Sequence, residues 1–143
     1  MAVPTITRLP DLHFASVEAE GGFAGAGPAF DRLERRMTSL RGRKMYGVVY
    51  PGDPVRYLAC LLLEPDDDDL DLERIVVPAG RYARVTVREW QARIAELPDV
   101  VDRLASAIGR SGLTIDPGRP MLEYYRRQDE LHMMLPVLDD GKP

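Results

Sequence analysis

The chain has 143 residues, of which 45% are hydrophobic and 29% charged, so it fits one globular domain and is too apolar for a disordered polypeptide. The net charge of −4 argues against a protein that wraps nucleic acid or adheres to an anionic membrane through bulk charge. No apolar run approaches the roughly 20 residues of a membrane-spanning helix. A single cysteine, Cys60, and an N-terminus without a secretory pattern favour a cytoplasmic location.

The first half of the chain predicts the element order β-α-β-β. Ile6 to Gly22 is typical of a strand, and apolar residues at intervals of three and four predict a helix from about Pro28 to Arg41. Met45 to Tyr50 and Val55 to Leu63 are rich in Val, Tyr and Leu. The Pro-Gly-Asp-Pro sequence at 51–54 separates them, which predicts a strand, a turn and a strand.

The second half predicts the same order again. Ile75 to Arg88 alternates apolar and polar residues toward its end, which indicates a strand with one buried face. An apolar stripe from Val100 to Ile108 predicts a helix that begins near Pro98. Met121 to Arg127 and Leu131 to Leu138 are the last two predicted strands.

These elements predict an α+β protein built from two β-α-β-β modules, at about 5–64 and 72–138, within a single domain of residues 1–143. Two such modules can pair into one antiparallel-rich sheet with both helices on one face and a ligand cleft on the other. When the two modules are aligned, Val48 matches Glu123 and Tyr50 matches Tyr125.

Several short motifs of the chain follow the pattern of a known protein family. Residues 75–83, Ile-Val-Val-Pro-Ala-Gly-Arg-Tyr-Ala, resemble the "iPaGrYa" strand of the GyrI-like effector-binding family. The family pattern "sG…p.p.fE.Y" followed by "iPv" is matched by Ser111, Gly112, Pro117, Pro120, Glu123, Tyr125 and Leu135-Pro136-Val137. Tyr46-Gly47-Val48 resembles the strand that follows the first helix, so the likeness spans almost the whole chain.

The resemblance implies a duplicated module with a pseudo-twofold cleft that binds small molecules. Members of the family are drug-sensing domains of transcription regulators, standalone binders, gyrase inhibitors and, in one branch, hydrolases of cyclopropane-bearing genotoxins. One departure is visible: many members have a glycine where this chain has Arg88-Glu89-Trp90. This departure leads us to expect Trp90 over the edge of the cleft.

Glu123 is the predicted polar anchor of that cleft. It alternates with Met121 and Tyr125 and therefore shares their strand face. A carboxylate in a partly apolar cleft is costly to desolvate, so it takes a raised pKa or binds a cationic ligand. The alternative is a structural pair with Arg84 or Arg126.

Aromatic side chains are the other predicted ligand contacts, because ring faces attract organic cations. Tyr46, Tyr50 and Tyr125 are assigned to the open face, and Trp90 is added as a candidate at its edge. His132 is a candidate that points into the cleft beside Glu123, and a hydrogen-bonded histidine at the edge is the alternative. Ordinary packing of the tyrosines in the core is the alternative.

Other site chemistries find little support in the sequence. The two histidines, His13 and His132, have no zinc-like spacing, so neither a metal nor a cofactor is predicted. Gly25-Ala26-Gly27 lacks the third glycine of a dinucleotide fingerprint and is interpreted as a turn into the helix. The acidic run at 66–69 is interpreted as a solvated loop rather than a calcium site.

Three functions therefore compete. The first is a standalone binding module for amphiphilic aromatic or cationic organic compounds. The second is a hydrolase in which Glu123, with Tyr125 or Tyr46, positions water, and the third is a gyrase-inhibitor-type protein partner. No helix-turn-helix remains once both modules are assigned, so direct DNA binding is not expected. The sequence does not predict an oligomeric state.

Overall fold

A computed structural model describes residues 4–68 and 70–138, which form one antiparallel sheet with two α-helices. The elements in chain order are β1 (Thr5–Leu9), β2 (Leu12–Glu18), α1 (Ala26–Glu34), β3 (Met45–Tyr50), β4 (Arg56–Leu62), β5 (Glu73–Val77), β6 (Gly80–Arg88), α2 (Leu97–Arg110), β7 (Met121–Arg127) and β8 (Glu130–Val137). Short 3-10 helices, Gly22–Gly25 and Trp90–Glu96, precede α1 and α2. The α+β class predicted from the sequence is confirmed.

The strand order in the sheet is β1-β6-β8-β7-β3-β4-β2-β5. The first half contains β1 to β4, and the second half contains their counterparts β5 to β8. The order reads the same from both ends when each strand is exchanged for its counterpart. β3 and β7 pair at the centre, and Gly47 lies opposite Glu123 there. At the edges the halves exchange strands: β1 pairs with β6, and β5 pairs with β2. Each half therefore has one strand more than the predicted module.

Two predicted strands are each divided in the structure. The segment predicted as one strand from Ile6 is broken at Pro10-Asp11, and the segment from Ile75 is broken at Pro78-Ala79. Proline lacks the N–H group that a ladder needs, so each break lets the chain leave one strand partner for another. The Asp11 carboxylate accepts a hydrogen bond from the Ala79 N–H group at 2.7 Å, which ties the two breaks together.

The first helix is shorter than predicted, because α1 ends at Glu34 rather than Arg41. Ala29 and Leu33 are buried, but Leu40 is 49% exposed and has no core to cover. The next N–H groups, those of Arg36 and Met37, bond three residues back, as in a tightening last turn. The remaining predicted bounds agree with the structure to within a few residues.

Alternate residues of each strand point to opposite faces of the sheet. Both helices pack on the face that carries Val49, Tyr57 and Leu135. The other face has its own apolar cluster, which includes the fully buried Phe14 and Cys60. Neither described helix combines the length and hydropathy that crossing a membrane requires.

Candidate functional site: a carboxyl group between two tyrosines

Glu123 lies on β7, with its carboxyl group on the sheet face that carries the helices, so the prediction that it lines a cleft on the opposite face is wrong. Its neighbours across the sheet are Gly47 on β3 and Met133 on β8. The Oε1 atom accepts hydrogen bonds from the hydroxyl groups of Tyr57, at 2.8 Å, and Tyr125, at 2.9 Å. The two hydroxyl oxygens are 3.0 Å apart. We call these three side chains the Glu123 cluster.

Aromatic rings from both halves of the chain surround the cluster. Phe30 of α1 meets the Tyr125 ring edge-on, with centroids 5.5 Å apart, and lies 6.3 Å from the Tyr57 ring. Trp90 also contacts the Tyr125 ring, with centroids 5.2 Å apart. The Tyr125 ring thus contacts the helical segments of both halves, and its hydroxyl group binds the Glu123 carboxyl group.

Trp90 reaches this position because the backbone turns sharply at the end of β6. Glu89 adopts the left-handed conformation, with φ 53° and ψ 42°, and its N–H group bonds the Asp129 carbonyl oxygen at 2.6 Å. Glycine is the residue that favours this conformation. The Trp90 indole nitrogen is buried and has no hydrogen-bond partner among the described residues.

Burial governs the protonation of the cluster. Desolvation raises the pKa of Glu123, and the hydrogen bonds from Tyr57 and Tyr125 oppose that rise only in part. Desolvation also raises the pKa of both tyrosines, so they stay protonated and act as donors. Glu123 is 5% exposed and forms no ion pair with any residue in 4–68 or 70–138. Its charged form is therefore poorly compensated in the absence of a ligand.

The expected alternative, a structural pair between Glu123 and Arg84 or Arg126, is wrong. Arg126 binds Glu130 instead, at 2.9 Å. Arg84 lies opposite Met134, a member of the apolar cluster on the face without helices.

The expectation that all candidate residues share one face is also wrong. The register pairs Met45 with Tyr125 and Tyr46 with Tyr124, so Tyr46 and Tyr125 point to opposite sides. His132 lies opposite Tyr124 and faces away from Glu123 as well. Val48, which the aligned modules matched to Glu123, also points away from it.

The remaining candidates lie on the face without helices. Tyr46 stacks on Tyr124, with ring centroids 4.7 Å apart, and desolvation raises its pKa to about 12. The His132 Nε2 atom lies 2.8 Å from a Glu130 carboxylate oxygen. Tyr50 packs beside the apolar cluster of that face, under the Arg56 guanidinium at 5.3 Å. A cavity of about 490 Å³ borders Tyr46 and His132, so this face does contain a cleft, but Glu123 and Tyr125 do not line it.

Sequence reasoning missed two members of the helix-side site. Tyr57 lies on β4, 66 residues before Glu123, and only the strand order brings them together. Phe30 belongs to the apolar stripe that predicted α1, so nothing in the sequence separates it from ordinary core residues. The one sequence feature that points to Tyr57 is its place in the alternation of side chains along β4, which lies beside β3. This feature becomes informative only when the register of the two strands is known.

The other interpreted motifs fit structural roles. A Cβ atom at Gly25 would lie 2.1 Å from the Glu20 carbonyl oxygen, so this glycine permits a close turn before α1. In the acidic run, Asp67 binds Arg43 at 2.5 Å, and Asp69 lies outside the described residues. Among the described residues, no group of three or more His, Cys, Asp or Glu side chains is arranged to hold a metal ion.

Comparison with solved structures places this fold among known proteins. SAV2435 bound to tetraphenylphosphonium superposes with a TM-score of 0.66 at 13% identity, covering 94% of this chain and 93% of that one. The EcmrR C-terminal domain gives a TM-score of 0.71 at 12% identity, with 94% and 96% covered. A hydrolase from Listeria innocua gives 0.64 at 16% identity, with 94% and 91% covered.

These likenesses extend over nearly the whole chain and fit a GyrI-like fold. At such low identity they speak for the fold alone. No family model matches the sequence, and no curated protein matches it.

Proposed function

We propose that this chain is a GyrI-like small-molecule-binding domain, and that its ligands are organic cations with aromatic or other apolar surface. The ligand is held at the Glu123 cluster, between α1 and the 3-10 helix Trp90–Glu96. The observation that carries the proposal is a nearly buried carboxyl group whose described partners are two tyrosine hydroxyls and no cation. One neighbour of the same fold is bound to the organic cation tetraphenylphosphonium, which supports the same ligand class here.

The chemistry of the cluster favours a cation over a neutral ligand. A positive charge beside Glu123 stabilises the carboxylate form, whose pKa burial has raised. The rings of Phe30, Trp90 and Tyr125 add the attraction of aromatic faces for cations, about 0.5–2 kcal/mol each. The Trp90 indole nitrogen offers one further hydrogen bond to a ligand acceptor. In this proposal Glu123, Tyr125 and Trp90 contact the ligand together with Tyr57 and Phe30.

Calorimetry with a matched pair of probes tests the proposal. Tetraphenylphosphonium carries one charge, whereas triphenylphosphine oxide is a neutral compound with similar rings. We expect the wild-type chain to bind the cation more tightly. Loss of a desolvated charge pair costs about 3 kcal/mol, so Glu123→Gln should weaken binding of the cation roughly 100-fold. Loss of a neutral contact costs about 1 kcal/mol, so binding of the oxide should weaken only about fivefold.

A control variant separates local from bulk charge effects. Glu34→Gln removes the same charge from an exposed position at the end of α1 and should leave both affinities unchanged. Equal affinities for the cation and the oxide, or a Glu123→Gln variant that binds the cation as the wild type does, would refute the proposal.

Hydrolysis is the second candidate function, favoured by one observation. A carboxyl group with a raised pKa suits a general base, because its pKa lies nearer the operating pH. In this proposal Glu123 accepts a proton from water while the Tyr125 hydroxyl holds the water or the substrate. If a strained electrophilic substrate is accepted, Glu123→Gln should lower turnover at least about 100-fold. Mass spectrometry would detect a product heavier by one water, and turnover that survives the substitution removes Glu123 from this role.

Two further proposals concern the domain organisation and the cellular location of the chain. We infer a single domain over residues 1–143 that consists of two repeats, and the strand order that reads the same from both ends supports this. We also infer a cytoplasmic location, with the buried Cys60 as a free thiol. Desolvation raises the pKa of that thiol well above its ordinary value, so it is not activated for chemistry.

A further inference from the structure

The sheet face without helices contains a cavity that is separate from the Glu123 cluster. Its volume is about 490 Å³. Its charged border is formed by Arg84, Arg88, Arg126 and Glu130, and its aromatic wall by Tyr46 and Tyr124. We call it the arginine-rimmed cavity. Because Glu123 points to the opposite side of the sheet, the two sites do not share a side chain.

The charges around this cavity do not balance. Among the described residues Glu130 is the one carboxylate that borders it, and Arg126, Arg88 and His132 all bind that group, at 2.9, 3.2 and 2.8 Å. Three guanidinium groups of the described lining therefore face one carboxylate, which leaves an excess of positive charge. Arg84 forms no ion pair or side-chain hydrogen bond with any residue of the described part of the chain, and it is only partly exposed.

The aromatic part of the cavity wall is a pair of stacked rings. The Tyr46 and Tyr124 rings have centroids 4.7 Å apart and an angle of 17° between their planes, so each ring covers one face of the other. His132 meets the Tyr124 ring edge-on, at 5.6 Å, and extends this polar and aromatic surface toward Glu130. Met134 and Leu9 add apolar surface beside the rings. An apolar ligand body can pack against the outer side of this stack, with its polar end toward the arginines.

We propose that the arginine-rimmed cavity binds a small organic anion that has a flat apolar body. Guanidinium groups present parallel N–H donors that match the oxygens of a carboxylate, sulfonate or phosphate. Arg84 supplies a donor set that no described residue binds, Arg88 completes the anion site, and Tyr46 and Tyr124 contact the ligand body. The ligand charge is opposite to that proposed for the Glu123 cluster, so a single chain binds two ligand classes on opposite faces of one sheet.

Calorimetry with naphthalene-2-carboxylate tests this proposal, and the neutral naphthalene-2-carboxamide is its matched probe. We expect saturable binding of the carboxylate and at least about tenfold weaker binding of the amide, the usual scale for losing hydrogen bonds to a charged group. Arg84→Gln should weaken carboxylate binding by about tenfold on the same scale. Arg110→Gln, an exposed arginine on α2, is the charge-matched control and should change nothing.

Further measurements check that the variants are folded and that the two sites bind independently. Near-ultraviolet circular dichroism checks that Arg84→Gln is folded, and Arg88→Gln, at an exposed position, is the second variant if it is not. Binding of the carboxylate should persist in Glu123→Gln and in the presence of saturating tetraphenylphosphonium. Absence of saturable binding, equal binding of acid and amide, or displacement of the carboxylate by tetraphenylphosphonium would each overturn the proposal. Apart from the competition with tetraphenylphosphonium, none of these outcomes depends on whether the Glu123 cluster binds cations.

Discussion

Gly47 leaves the space that the Tyr57 hydroxyl group occupies. A Cβ atom at position 47 would lie 2.1 Å from the Tyr57 hydroxyl oxygen and 2.8 Å from the Glu123 Oε1 atom. Real Cβ atoms do not approach other atoms this closely, and the Tyr57 ring is 1% exposed and has little room to move. The hydrogen bond between Tyr57 and Glu123 therefore depends on the absence of a side chain at this position of β3.

The first prediction follows from that contact. We expect Gly47→Ala to lower the free energy of unfolding by about 1–3 kcal/mol, as overpacking of a core does, and to weaken tetraphenylphosphonium binding. Urea unfolding and calorimetry measure the two effects. Gly109→Ala is the matched control, because position 109 has open space and lies inside α2, where alanine is favoured by about 0.5–1 kcal/mol. If Gly47→Ala behaves like the control, the cluster geometry does not depend on this space.

The second prediction concerns the donors of the Glu123 cluster. Tyr57→Phe removes one of the two hydrogen bonds that favour the carboxylate form, so the pKa of Glu123 should rise further. At a fixed neutral pH the variant should bind tetraphenylphosphonium more weakly, and the pH at which binding is half-maximal should shift upward. Calorimetry across a pH series measures this shift. Tyr50→Phe removes a hydroxyl on the opposite face and should leave the profile where it is.

The third prediction is a pH dependence of stability. Burial raises the pKa of Glu123 above the ordinary value of 4.5, so folding favours its protonated form. This contribution is fully present below the unfolded pKa and is lost as the pH rises through the folded pKa. The free energy of unfolding of the wild type should therefore fall relative to that of Glu123→Gln as the pH rises from about 4.5. Urea unfolding at several pH values measures the difference.

The pKa of Glu130 is shifted in the opposite direction, but this shift does not affect the comparison. Its hydrogen bonds to Arg126 and then His132 lower its pKa to about 2, so its contribution is present above the unfolded pKa and is lost as the pH falls toward 2. Both proteins contain Glu130, and its effect cancels in the difference. A difference that does not change with pH would mean that folding leaves the Glu123 pKa unshifted.

The fourth prediction concerns the turn that positions Trp90. Glu89 has a positive φ, which costs a side-chain-bearing residue about 1 kcal/mol or more. Glu89→Gly should keep the thermal midpoint or raise it, because glycine adopts this conformation without strain. Glu89→Val should lower the midpoint, since a branched side chain is least tolerated there. Differential scanning calorimetry makes the comparison, and a glycine variant that is the less stable of the two would contradict this account.

The sequence predicted most of the helices and strands, but it did not predict which face of the sheet each side chain occupies. β3 and β7 have the predicted bounds, because short alternating runs between turn residues are strong strand signals. Within β7 the pattern also placed Glu123 and Tyr125 on one side. Which side chains of two neighbouring strands share a sheet face depends on the register of the strands. A shift of one residue moves every side chain of a strand to the other face. The weak internal likeness paired Val48 with Glu123, whereas the sheet pairs Gly47 with it.

The strand breaks show a second limit. Pro10 and Pro78 were visible in the sequence, but each lies inside a run of strand-forming residues that local pattern alone treats as continuous. Each run is divided because its first part pairs with a strand of the other half of the chain: β1 pairs with β6, and β5 pairs with β2. The cluster partner Tyr57 was missed for the same reason, because it meets Glu123 only through the order of strands β4, β3 and β7.

The exchange of β1 and β5 bears on how such a molecule arises. Each half supplies the edge strand that the other half lacks, which is the connectivity of a domain-swapped dimer joined into one polypeptide. A half-length ancestor with a single helix could have built the same eight-stranded sheet only as two copies. The central strand pair would then have lain on the symmetry axis, with the same residue contributed twice. Joining the copies frees the two halves to diverge, so that Gly47 on one strand leaves space while Glu123 on its partner supplies the carboxyl group.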